Sequence, residues 1–182
     1  MRLWGLVLAA AIAVASMASA RAEGVEVDCK ETNLKFEAPT FKVTCKDYSR
    51  STINLSEISA ASRTYTLLAM SEAELSFMHV LSNHVLGGTR IYLKLSSLEG
   101  QIEDNFGAKL SNWGDEEDIG DYEVKHVTAV FKNDDPVECL AFRKLAGRRG
   151  SGVSGVTVGF SCSADSRDKA MATMKSFIEQ DD

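Results

Sequence analysis

The sequence is poor in the groups on which catalysis near neutral pH rests. It has three histidines and four cysteines in 182 residues, and it contains no Gly-x-Ser-x-Gly elbow, no His-Glu-x-x-His and no Cys-x-x-Cys. Positive charge is not in surplus either: 20 Lys and Arg stand against 26 Asp and Glu, a formal net charge of −6. A general nucleic-acid binder, or a binder of anionic membranes, needs a cationic face to displace counterions. The expected partner is therefore a protein or a small ligand and not a nucleic acid. No motif calls for a metal or a cofactor, and no internal repeat is present.

One apolar run is present, and it lies at the N-terminus. Arg2 is followed by Leu3 to Met17 without a charge, then by Ala18-Ser19-Ala20-Arg21-Ala22, with small residues where a signal peptidase reads. The run is shorter than the roughly 20 residues that a bilayer core requires. It reads as a leader over residues 1–22, cleaved after Ala20 or Ala22, ahead of one domain over residues 23–182. Losing Arg2 and Arg21 with the leader leaves 18 basic against 26 acidic residues, a net charge of −8. The expected address is the periplasm or the cell exterior, with no membrane segment in the mature chain. About 160 residues suffice for one ordinary core.

Cys29, Cys45, Cys139 and Cys162 all follow the leader. An even count in an exported chain points to two disulfides. Residues 41–45 alternate as a strand after the Ala38-Pro39-Thr40 turn, which brings Cys29 alongside Cys45. Residues 137–145 and 156–162 form a hairpin centred on Gly150 and Ser151, which sets Cys139 opposite Cys162.

Other elements follow from periodicity. Residues 63–70 read as a strand. Ser71 to Glu74 matches a capping box, and Phe77, Met78, Leu81 and Val85 repeat at helical spacing up to Gly87-Gly88, so a first helix is expected there. A strand over residues 90–95 precedes a second helix whose stripe is Leu98, Ile102, Phe106, Leu110 and Trp113. Asp115 to Asp118 is an acidic loop, residues 122–132 are a strand, and Gly147 to Gly155 is a flexible loop. A third helix begins at Ser163 or Asp165 and places Ala170, Met174, Phe177 and Ile178 on one side. The expected class is α+β: a mainly antiparallel sheet with about three helices on one face, a two-layer sandwich closed by a C-terminal helix. In outline this resembles the PsbP-like sandwich, and the likeness implies no functional residue.

Candidate functional residues are few. His79 and His84, five apart on a helix, would lie about 140° apart around it and could not share a metal. A hairpin turning at Asn133 to Pro136 would set His126 opposite Arg143, a polar pair on the side of Phe160 and the cysteines. Arg148 and Arg149, with several free amides in their loop, could hold a phosphate or carboxylate. Ser166 and Lys169 match the Ser-x-x-Lys spacing without its companion motifs. Asp115 to Asp121 lacks the spacing of a calcium loop and reads as solvated. His126, Arg143, Arg148 and Arg149 are thus the candidate binding residues, and no catalytic residue is assigned. The function expected is a non-catalytic binding or accessory protein of the cell envelope. The alternative is a small hydrolase using His126.

Overall fold

The computed structural model describes residues 24–48, 62–85, 91–92, 97–108, 110–130, 136–150 and 152–181. The expected leader and its cleavage site lie outside them. Among the described residues there are eleven strands: β1 (Val25–Val27), β2 (Lys42–Asp47), β3 (Ser62–Ser71), β4 (Ser76–Val85), β5 (Ile91–Tyr92), β6 (Leu110–Ser111), β7 (Glu116–Ile119), β8 (Tyr122–Val130), β9 (Pro136–Ala146), β10 (Gly152–Val153) and β11 (Gly155–Ser163). The described residues also hold two α-helices, α1 (Leu98–Phe106) and α2 (Arg167–Asp181). The main sheet runs β1-β2-β3-β4-β11-β9-β8-β6, with β7 also on β8, and every pairing in it is antiparallel. β5 and β10 make a separate two-stranded pair.

The first expected helix is a strand. β3 and β4 form a hairpin in which Ser71 pairs with Ser76, joined by a turn in which Leu75 takes a φ of 50°. The Ser71 side chain does accept a backbone amide, that of Glu74, but it caps a turn and not a helix. A strand buried on both faces shows no polar face, so its apolar run fits a helical stripe equally well. Pairing with β3 on one edge and β11 on the other decides the matter.

The second helix is shorter than its stripe. Ser97 Oγ accepts from Gly100 N, and Gly107, at φ 64°, closes the helix by donating to Glu103 O, an αL cap. Leu110 belongs to β6 and Trp113 to the loop beyond. The acidic stretch holds another strand, β7, paired with β8 around a turn at Gly120, φ 60°, and Asp121. A Gly-Asp turn between pairing segments is a hairpin signal, and the charges suit an edge strand, where they discourage further pairing.

The two helices lie on opposite faces of the sheet, which corrects the expectation of about three helices on one face. Alternate residues of β9 show it. Leu140 and Phe142 join the core under α2 with Ala170, Met174, Phe177 and Ile178, while Cys139 and Ala141 join Leu98, Ile102 and Phe106 of α1. The α2 side also takes Leu34 and Phe36, from the segment that crosses from the 3-10 turn Cys29–Glu31 to β2.

Both disulfides join the expected cysteines. Cys29 is bonded to Cys45 and Cys139 to Cys162. β9 and β11 pair as expected, with Cys139 opposite Cys162 and their Cα atoms 4.1 Å apart. Each bridge closes a short loop and contributes roughly 3 kcal/mol.

Gly159 lets the sheet and the α2-side core fit together. A Cβ there would stand 2.8 Å from Phe142 Cζ and 2.6 Å from the His79 carbonyl oxygen. Gly159→Ala should therefore cost about 1–3 kcal/mol by overpacking, read as a lower urea midpoint. An unchanged midpoint would show that the ring does not lie over this glycine.

Candidate functional site

His126 and Arg143 do not form a pair. β8 and β9 meet with Val130 opposite Pro136, which sets His126 opposite Leu140 and Arg143 opposite Glu123. Pro136 opens β9, a place where its missing N–H costs nothing, whereas the expected register put it in the turn. The offset is an odd number of residues, so the two side chains lie on opposite faces.

Arg143, on the α1 side, donates from Nε to Glu123 Oε2 at 2.9 Å and also from Nη2. Both side chains are largely buried, 14% and 16% exposed. The guanidinium is thus committed to a carboxylate of its own chain. Its other neighbour, Val158, is the one expected.

His126 lies on the α2 side, against the start of that helix. Arg167 donates to His126 Nε2, and Glu117 Oε1 of β7 stands 3.6 Å from the same nitrogen. Because a guanidinium can only donate, Nε2 supplies the lone pair there. Nδ1 is buried and has no hydrogen-bond partner. The ring contacts a cation and a carboxylate.

Arg148 and Arg149 are exposed at the end of the β9–β11 hairpin. This region is more regular than the expected flexible loop. Arg149 N donates to Gly152 O at 2.9 Å and Gly152 N to Arg149 O at 3.1 Å, and Ser154 N donates to Ala146 O at 2.9 Å. Gly147 and Gly150 take φ values of 58° and 56°, a region that favours glycine. Three of the amides expected to be free are therefore used in the hairpin, and recognition of an anion would fall to the guanidinium groups.

Ser166 and Lys169 are not an activated pair. Ser166 Oγ accepts from Lys169 N at 3.3 Å, and the Lys169 ammonium is paired with Asp165. Among the described residues no cluster of three or more His, Cys, Asp or Glu could hold a metal ion.

The densest polar group was missed by the sequence reading. Cross-strand pairs align Tyr122, Lys144, Thr157, Ser82, Tyr65 and Asp47 in one row on the α2 side. His84 lies in the next row, opposite Gly155 and Arg63. Asn33, from the crossing segment, donates from Nδ2 to Ser82 Oγ at 2.8 Å and contacts His84 Nε2. Ser82 Oγ is 2.9 Å from that nitrogen, and Thr157 Oγ1 is 3.5 Å from Ser82 Oγ. At the end of α2, Asp181 accepts from Tyr122 OH and from Lys144 Nζ, the latter at 3.3 Å. A β3–β4 hairpin would have revealed the row, since it sets Ser82 opposite Tyr65.

The His84–Ser82 contact has the form of a base beside a hydroxyl, but Ser82 is completely buried. Burial holds His84 below the ordinary histidine range, and Asp181 opposes that shift. His79 sits on the other face of β4, edge-on to the Phe106 and Phe160 rings. Its separation from His84 therefore arises from strand alternation and not from helical rotation. Desolvation, then the Lys46 charge, lowers the His79 pKa to about 4.

No family model, no curated protein and no solved structure matches the chain.

The His79 shift fixes the sign of a pH effect. The unfolded chain takes up the proton near 6.5 and the folded one near 4, so the contribution of neutral His79 is fully present above 6.5. It is lost as the pH falls towards 4, by up to about 3 kcal/mol. The stability gap between wild type and His79→Phe should therefore change across that window in urea titrations. A gap that does not vary with pH would contradict the burial of a neutral ring.

Proposed function

We propose that the chain is an exported accessory protein, periplasmic or secreted, that acts by binding and not by turnover. Two disulfides carry the reading. Cys29–Cys45 and Cys139–Cys162 brace the two core faces separately, and such bonds persist in oxidising compartments. The leader-like residues 1–22 support the same address. No helix among the described residues is long and apolar enough to cross a membrane.

The binding contact falls on the hairpin end that carries Arg148 and Arg149, two exposed cations on an acidic chain. Its fitting ligand is a phosphate or carboxylate group of a protein or small molecule. Arg143 supports the tip from within by tying β9 to β8 through Glu123. His126 ties β8 to α2 through Arg167. The hydrolase alternative keeps His126 as its base and has to recruit a nucleophile other than the groups that ring touches.

Three measurements on the exported product test the reading. Its intact mass should match a chain beginning at Arg21 or Glu23 with both disulfides formed, and recovery of the full-length chain from a membrane pellet would refute export. Titration with inorganic phosphate should shift the Arg148 and Arg149 side-chain signals and the backbone amides of the hairpin end, and Arg148→Ala with Arg149→Ala should abolish the amide shifts; unmoved signals would remove the tip as the contact. Turnover of an ester, peptide, glycoside or phosphate substrate that is lost in His126→Ala would overturn binding in favour of hydrolysis.

A further inference from the structure

His84 Nε2 is approached by two donors from different parts of the chain. Ser82 lies two residues away on the same face of β4, and Asn33 belongs to the crossing segment. Asn33 Nδ2, a group that can only donate, contacts both Ser82 Oγ and the ring nitrogen, while Asn33 Oδ1 is buried without a partner. Nε2 must therefore offer its lone pair, which puts the proton of the neutral ring on Nδ1.

The segment that Asn33 belongs to has no sheet pairing of its own and is held by side chains. The Cys29–Cys45 bond anchors its start, and β2 receives its end. Between them Leu34 and Phe36 are buried in the α2-side core. Glu37 exchanges two bonds with Gln180 of α2, 2.7 Å from the Glu37 amide and 3.4 Å to its carbonyl. Nearer β2, Ala38 and Phe41 pack against the same core and Thr40 donates to Glu74 of the β3–β4 turn, so Asn33 is the tie of the first half of the segment to β4.

We propose that Asn33, Ser82 and His84 form an acid-opened latch, in which a proton taken up at His84 Nε2 releases the crossing segment from the sheet. Protonation turns the shared acceptor into a donor facing a donor. The Asn33 bond is lost, and the segment loosens between its two anchors while the sheet stays paired, a local opening and not global unfolding.

The charged neighbours set the balance. Arg63 stands opposite His84 on β3 with its side chain exposed. Asp181 of α2 favours the proton, although that carboxylate is shared with Tyr122 of β8 and Lys144 of β9. Tyr65 of β3 receives the Arg63 guanidinium at 3.4 Å. Asp47 of β2 ends the neighbouring row, and β11 presents Gly155, which carries no charge. Burial of the ring reinforces the neutral state.

The test is hydrogen exchange followed by mass spectrometry on the disulfide-bonded protein, from about pH 7.5 to about pH 5, the ordinary histidine range. After correction for intrinsic chemistry, protection of residues 31–38 should fall as the pH drops. The slope is at most about tenfold per pH unit, the limit for one proton taken up on opening. Peptides from β4, β9 and β11 should not change. His84→Gln, which offers an acceptor that does not titrate, should remove the pH dependence, and His79→Gln should leave it. Should His84→Gln fail to fold, nitrogen-15 NMR of the wild type decides: the latch requires the proton on Nδ1 at pH 7.5 and a change in the Asn33 amide signals at the His84 midpoint. A pH-independent segment, a dependence that survives His84→Gln, or an Asn33 amide unmoved while His84 titrates would each overturn the latch. The last result would mean that the amide turns over and offers Oδ1 instead.

Discussion

The structure depends on β11 being buried along its whole length. Every residue from Gly155 to Ser163 is buried, with β4 on one edge, β9 on the other and a helix over each face. A strand in that position must satisfy every backbone group through its neighbours and suit two cores at once. Val156, Val158, Phe160 and Cys162 serve the α1 side. On the α2 side stand Thr157, Gly159 and Ser161, small or polar residues that need partners. Ser161 Oγ donates to Ala170 O at 3.0 Å, Thr157 joins the Ser82 group, and Gly159 makes room for Phe142. The opposite placement of the helices and the position of the second disulfide both follow from this strand.

How much of this the sequence revealed depended on how each element is buried. β11 was legible because small and polar residues alternate with large apolar ones, and the pairing of Cys139 with Cys162 followed from one turn. The C-terminal helix was legible from Ala170, Met174, Phe177 and Ile178. β4 was not. Phe77 and Leu81 pack towards α1 while Met78 and Val80 pack towards α2, so no polar face remained to betray period two, and a serine three residues ahead of a glutamate imitated a helix start. The β8–β9 register failed at the turn, where Pro136 faces Val130 and not Asn133, and with it went the His126–Arg143 pair.

The missed polar row has the same origin, because a misread β4 hides what lies beside it. The core under α2 is apolar where Met78, Val80, Leu67 and Phe142 meet, and it becomes polar at the row of Ser82, Thr157 and Tyr122. Buried polar groups of this kind are costly unless bonded, and most here are bonded across elements distant in sequence: Asn33 to Ser82, Tyr122 to Asp181. Such bonds do less for net stability than for fixing one arrangement of the crossing segment and the helix end. The exposed arginines at the hairpin tip and the paired Arg143 show the same division between groups turned outwards and groups used within.

Native-state hydrogen exchange across the whole chain addresses the central role of β11 most directly. The account predicts that the β11 amides, with those of β4 and β9 bonded to them, exchange only through global unfolding, while the edge strands β1 and β7 exchange through smaller openings. β11 amides that exchange as readily as those of β1 or β7 would contradict it.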